Sequence, residues 1–364
     1  MFNYIKYLLV ILIFLSSLSS CSNKTTSPSN NQTESSPSSP DNVPENIVKN
    51  YSVKADESEA NIEAKMQEYF AEYGYYSIFL EDTKENIDKN NTISKINTII
   101  AKDTYTKDGV YLDLSKTTMT DIADNAFEDN KNLFGIKLPE TITSIGENAF
   151  VDCSSLKTIN FPSSLTSIGE YAFQSCIKLE TADLSQTKII EIKGNSFHSC
   201  SSLKNIVLSQ SILAIQANAF HSCTSLEEVA LPDNFIGIAS SAFAECKALK
   251  KVTLNEKITQ ISGMAFYNCT SLEKISLPSS IKTIRQYAFT GCTSLKQIEY
   301  LGTTPSSVAA DAAAFSAYST AGAAPLESLY LPNVANAPSD GSWNNFLNYD
   351  WSKKTINYAQ SMPK

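Results

Sequence analysis

The sequence predicts a solenoid: stacked 23-residue coils that carry a parallel β-sheet on one face, with a small helix-containing cap on the N-terminal side. Three observations predict it. Phe127, Phe150, Phe173, Phe197, Phe220, Phe243, Phe266 and Phe289 lie 23 residues apart, once 24. Each has alanine before it (serine at 196), isoleucine five residues earlier and cysteine three residues later (asparagine at 130). A leucine and an apolar–x–apolar pair then follow, as in Ile136/Leu138 or Ile159/Phe161.

The chain opens with a short head, Phe2–Lys6, and an apolar run, Tyr7–Leu15, too short for a comfortable permanent span. Leu18-Ser19-Ser20-Cys21 resembles the lipobox of bacterial lipoprotein signal peptides. That resemblance implies that residues 1–20 are removed and that Cys21 is acylated and anchors the protein in a membrane. Residues 21–47 are rich in Ser, Asn, Thr and Pro and read as a flexible tether. Residues 48–108 read as a partly helical cap or a small separate module. Ile62, Met66, Tyr69 and Phe70 have helical spacing within 59–70, Gly74 is a stop, and a second short helix is expected near 93–100. The solenoid is expected over 109–332 and a C-terminal cap over 333–364.

Each repeated position has a physical role. The apolar–x–apolar pair has period two and reads as a short strand buried on one face. Pro139, Pro162, Pro232 and Pro278 end that strand, because proline cannot donate to a ladder. Ala-Phe sets a small residue beside a ring, so the chain turns tightly while the ring fills the interior. One coil cannot bury its own apolar side, but stacked coils bury it against each other. Ten or so strands spaced about 4.8 Å apart give a sheet about 45 Å long.

The string Ile-x-x-x-Ala-Phe-x-x-Cys-x-x-Leu-x-x-Ile-x-x-Pro, from Ile145 to Pro162, closely resembles the bacterial leucine-rich repeats called BspA-like, also seen in treponemal proteins. The resemblance covers about 110–350. Thr303-Thr304-Pro305, Ala314-Phe315, Leu329-Tyr330-Leu331-Pro332 and the two tryptophans, Trp343 and Trp351, resemble that family's closing repeat and cap. An Ala/Ser-rich insertion over 309–324 and a missing cysteine depart from it. The resemblance implies a cell-surface protein that adheres to host proteins or other cells.

Seven repeat cysteines, Cys153 to Cys292, invite a disulfide reading in an exported chain. Equivalent side chains of stacked coils point the same way, however, so they read as a buried ladder of free thiols. His198 and His221 share one slot in adjacent coils without a third ligand, and read as surface residues rather than a metal site. Trp343, Phe346, Tyr349 and Trp351 read as the cover of an open core end rather than a sugar platform. There is no nucleophile elbow, metalloprotease motif or phosphate loop, so no enzyme, cofactor or metal is expected. A net charge of −9 with no basic cluster argues against nucleic acid.

The outward strand positions vary between coils, as a binding face can and a core cannot. The candidate face is Lys137, Asn160, Asp183, Asn205, Glu228, Lys251, Lys274 and Glu299. The expected function is a lipid-anchored protein of the outer membrane or cell surface that binds a protein or glycan ligand on a host or neighbouring cell. The alternative is a periplasm-facing envelope scaffold or glycan-binding lipoprotein.

Overall fold

The computed structural model describes residues 43–316 and 322–363. The expected export signal, Cys21 and nearly all of the tether lie outside the described residues.

Helix α1 spans Glu45–Tyr51 and buries Ile47 and Val48. The boundary expected at 47/48 therefore falls inside a helix. Strand β1, Ser52–Val53, pairs with β2, Tyr76–Leu80, which pairs in parallel with β3, Val110–Asp113. Between them helix α2, Glu59–Tyr73, is capped by the Ser58 hydroxyl accepting from the Asn61 amide at 3.2 Å. It ends at Gly74 with φ 79°, the left-handed conformation that favours glycine. Helices α3, Lys84–Lys89, and α4, Thr92–Ile100, complete the cap. Of these four helices the sequence pattern located α2 and α4. It missed α1 and α3, which are too short to show a period, and it missed β2.

β2 is buried on both faces. Tyr76, Ile78 and Leu80 join the main core, whereas Phe79 turns outward to Ile47, Val48 and Tyr69. Helix α1 thus lies over the outer face of the first strands, and Lys116 pairs with Glu45 at 2.8 Å beside it. One continuous core runs from Val53 through the repeat to Trp351.

Within the repeat the phenylalanines form a stack from Phe127 to Phe315, with neighbouring centroids 5.1–5.7 Å apart and planes within 13° of parallel. The backbone beside each ring is a bonded ladder. Phe127 N–H donates to Ala149 O at 2.8 Å, Phe150 to Ala172 at 2.8 Å, and so on down the stack. Two left-handed residues flank each ring from Phe127 to Phe289, such as Asn148 and Asp152 around Phe150, or Met264 and Asn268 around Phe266. Asn, Asp and Ser fill most of these positions because their short polar side chains tolerate φ > 0. At 196 the serine that replaces alanine is buried, and its hydroxyl donates to Lys193 O at 2.6 Å.

The strand sheet is parallel, as expected, but it is not one piece. It divides into five-, four- and four-stranded segments, with breaks between 158–159 and 181–183 and between 251–253 and 274–277. Residues 355–358 add a last strand beside 328–331. A second set of parallel ladders, not anticipated, runs along another face through two-residue strands such as 144–145 and 214–215. It breaks once, between 167–168 and 191–192. The one 24-residue interval falls at that break, with five positions from Leu184 to Ile189 against four from Phe161 to Leu165, although the same five-position step from Leu114 to Met119 leaves its ladder intact. Both ladders are therefore interrupted between the same two coils. That seam is crossed by Phe173 N–H to Ser196 O at 2.8 Å, Lys188 N–H to Leu165 O at 2.8 Å and the Lys157–Glu180 ion pair at 3.4 Å.

The last coil keeps Phe315 on the ring stack despite the insertion, and Ala309–Ala310 continue the second ladder. Trp343, Phe346 and Trp351 are buried, and Trp343 and Phe346 lie against Tyr300 at 6.0 and 5.0 Å. They cover the end of the core; Tyr349 packs partly buried beside Trp351 at 5.1 Å.

Candidate binding face

The outward strand residues form two columns. In the first, Thr181, Asn205, Glu228 and Lys251 are register partners, as are Lys274, Gln297, Ser328 and Thr355. In the second, Asp183 faces Val207, Ala230 faces Thr253, and Ser276, Glu299, Tyr330 and Asn357 follow one another. The eight candidates do not make one line. Asn205, Glu228, Lys251 and Lys274 stand in the first column and Lys137, Asn160, Asp183 and Glu299 in the second.

Several of them already have partners within the chain. The Asn160 carboxamide is half-buried; it accepts from Leu138 N–H at 2.6 Å and donates to Leu138 O at 3.0 Å, replacing a backbone rung. Asp183 accepts from Ser185 N–H at 2.9 Å, just as Asp113 accepts from Ser115 at 2.7 Å. Both aspartates open the same turn, Asp-Leu-Ser-x-Thr, in which Thr117 and Thr187 each donate to the leucine carbonyl at 2.8 Å. Glu228 and Lys251 approach to 3.7 Å with both side chains largely exposed, a pair worth at most about 1 kcal/mol.

At the C-terminal end the chain's own tail crosses the columns. Glu299 accepts from Met362 N–H at 3.0 Å and Lys274 donates to Pro363 O. No period or motif in residues 359–363 signals this. At the other end Tyr111 lies across Gly135, where a Cβ would stand 2.8 Å from the ring and 2.7 Å from the Thr158 hydroxyl. Only glycine fits there. Tyr111, Lys137 and Asn160 line a shallow recess beside it. The stretch between, from Thr181 to Thr253, alternates exposed, buried, exposed in all four strands.

The residues of greatest chemical interest lie off this face. All seven repeat cysteines are free and buried, as the sequence pattern implied. Each also has a polar partner that the pattern did not reveal: the thiol donates to the phenylalanine carbonyl one coil back, at 3.0–3.2 Å. In the first copy Asn130 accepts from Asn132 and Leu133 N–H at 3.2 and 3.1 Å and donates to Asn97, tying the repeat to α4. Burial pushes the thiols up, Cys292 to about 12. His198 and His221 stack at 4.9 Å and are half-buried rather than freely exposed. Their Nδ1 atoms lie 3.2 and 2.9 Å from the Ser199 and Ser222 hydroxyls. Among the described residues no cluster of three or more His, Cys, Asp or Glu could hold a metal ion, and no helix is long and apolar enough to cross a membrane.

A family model described as BspA type leucine rich repeat region matches in six copies, over residues 120–235 and 213–319, more than half of the chain. The chain belongs to the BspA-type leucine-rich-repeat family. The matched span of this BspA-type repeat holds the Phe stack from Phe127 to Phe315 and the cysteine ladder whole. Among solved structures, a leucine-rich repeat protein from Bacteroides ovatus is 22% identical with a TM-score of 0.51, over 68% of this chain and 60% of that one. This chain thus spans three-fifths of that protein's length, and the likeness speaks for the fold alone. A leucine-rich repeat protein from Eubacterium ventriosum is 16% identical over 80% of this chain and 91% of that chain, with a TM-score of 0.33. The Treponema pallidum leucine rich repeat protein is 23% identical over 54% and 74%, with a TM-score of 0.29. No curated protein matches.

Proposed function

We propose that this BspA-type protein is exported, anchored through a lipid on Cys21, and binds a macromolecular partner on a host or neighbouring cell through its outward strand columns. One observation carries the reading. The columns are open from Thr181 to Thr253, while α1 covers the sheet at one end and residues 362–363 at the other. Thr181, Asn205, Val207, Ala230 and Thr253 are small or neutral, Asp183, Glu228 and Lys251 are charged, and none is aromatic. Such a surface favours contact spread over several coils, with no single dominant anchor.

The test uses residues 43–364, which contain the whole core and both of its covered ends. Immobilised fragment should retain a cell-surface protein, and Val207→Arg with Glu228→Lys should abolish retention. Retention by that variant, together with its loss on substituting exposed residues of the helical cap, would make the repeat a stalk. For the anchor, Cys21→Ser should release the protein from membranes in its folded state. Surface proteolysis of intact cells should cleave the wild type; protection would place it facing the periplasm.

A further inference from the structure

Ile190, Leu213 and Ile236 are exposed, at 62%, 41% and 57%. They hold the same position in three successive coils, and their backbones are bonded in sequence, Leu213 N–H to Ile190 O at 2.8 Å and Ile236 N–H to Leu213 O at 2.9 Å. They therefore form a stripe along the second ladder, away from the outward strand columns. The neighbouring coils carry threonine here. Thr143 and Thr166 use the hydroxyl for an extra bond to the coil before, at 3.0 and 2.8 Å. The three middle coils give up that bond and set a large aliphatic side chain in water. Ala214 and Gly237 beside them are small, and a Cβ at Gly237 would meet nothing within 4 Å.

The column reads Thr143, Thr166, Ile190, Leu213, Ile236, Thr259, Lys282, nearly palindromic about Leu213. The charges beside it are complementary about the same centre. Residues 140–147 hold Glu140 and Glu147 and no base, for −2, whereas 279–286 hold Lys282 and Arg285 and no acid, for +2. Residues 187–194 hold Lys188, Lys193 and Glu191, for +1, whereas 233–240 hold Asp233 alone, for −1. Residues 163–170 hold Glu170, for −1, opposite 256–263, where Glu256 and Lys257 cancel; the central segment 210–217 holds no charge.

We infer that this stripe is the centre of a two-fold interface between two copies of the chain. A two-fold axis lying in the interface, along the strand direction at Leu213, reverses the order of coils and preserves position within each coil. Ile190 then meets Ile236 of the second copy, Leu213 meets Leu213, and the acidic coil at 140–147 meets the basic coil at 279–286. Across these seven coils no pair of facing segments carries like charge; only the outermost pair, 117–124 with Asp121 and Asp124 and 305–312 with Asp311, is acidic on both sides. An apolar centre with charged ends is the arrangement of a specific but modest interface, so association depends on concentration and salt.

Sedimentation equilibrium of the 43–364 fragment tests it. The wild type should approach twice the monomer mass as concentration rises. Ile190→Thr, Leu213→Thr and Ile236→Thr together restore the repeat's own residue and should raise the dissociation constant by at least about tenfold. Cysteine cross-linking tests the geometry independently. Leu213→Cys alone should oxidise to a covalent dimer. Ile190→Cys alone should not, since the two copies of it stand about 10 Å apart, beyond disulfide reach. Mixed with Ile236→Cys, it should cross-link. A wild type that stays monomeric at every concentration would overturn the inference, leaving the stripe to a different partner. So would a triple variant that associates as well as the wild type, or Ile190→Cys cross-linking by itself.

Discussion

The thiol of Cys223 donates to the carbonyl oxygen of Phe197, one coil back, at 3.2 Å. The same carbonyl accepts from Cys200 N–H in its own coil at 3.2 Å, so the sulfur supplies a second bond at a buried acceptor. Cysteine suits the slot because it is small and apolar yet carries a weak donor. Burial holds each thiol above its ordinary range, and the thiolate is the reactive form. Native 43–364 fragment should therefore resist alkylation at mildly alkaline pH. In denaturant without reductant all seven cysteines should label at once. Fewer than seven would reveal disulfides.

Phe220 sits between Phe197 and Phe243, 5.4 Å from each and fully buried. Phe220→Ala should cost about 3–5 kcal/mol, read as a lowered urea midpoint. Coils on either side cannot close the gap without breaking the ladder beside the ring. A loss below about 1 kcal/mol would mean that the ring column contributes little.

His198 and His221 are held below the ordinary imidazole value of 6.5, chiefly by burial; for His198 the neighbouring His221 adds to it, whereas Glu245 opposes it at His221. The unfolded chain therefore takes up protons first as pH falls. Their contribution to stability is complete above about 6.5 and is lost as pH drops below that, toward the lower folded values. Urea midpoints measured from pH 7.5 to 5 should fall, and His198→Asn with His221→Asn should flatten that fall. An unchanged slope in the double variant would assign the acid sensitivity to other groups.

Met264 adopts φ 57°, where four other coils have Asn125, Asn148, Asn195 and Asn218. A long side chain without a polar tip gains nothing locally in the left-handed region. Met264→Asn should raise stability by about 0.5–1 kcal/mol, seen as a higher thermal midpoint. Equal or lower stability would show that packing of the half-buried methionine outweighs its backbone strain.

The repeat was legible because every buried position recurs, and a period of 23 makes Phe, Ile, Cys and Leu visible as columns before any coordinate is known. What stayed hidden has no period. Helix α1 is seven residues long, and β2 shows no polar–apolar alternation because both its faces are covered. The second ladder escaped notice because its strands are only two residues long. On the candidate face, outward direction could be read from alternation, but engagement within the chain could not. Asn160 and Asp183 look like free polar residues in sequence, yet they hold the backbone of Leu138 and Ser185. Lys274 and Glu299 are met by a tail some sixty to ninety residues further along the chain. Only folding brings those segments together.

At the junction beside the extra residue between Leu184 and Ile189 both strand ladders are interrupted, while the rungs beside the rings continue across it. A stack bonded alike at every junction bends as a uniform rod, whereas one with fewer bonds at a single junction bends more easily there. What limits tilting there is the set of bonds that still crosses: the Tyr171, Phe173 and Ser175 N–H rungs, Lys188 N–H to Leu165 O, and the Cys200 thiol on Phe173 O. A ligand seated wholly on Thr181–Thr253 would leave that bending free. One that also reached Lys137 would have to arrest it, losing conformational entropy on binding and so holding less tightly than its added contacts suggest.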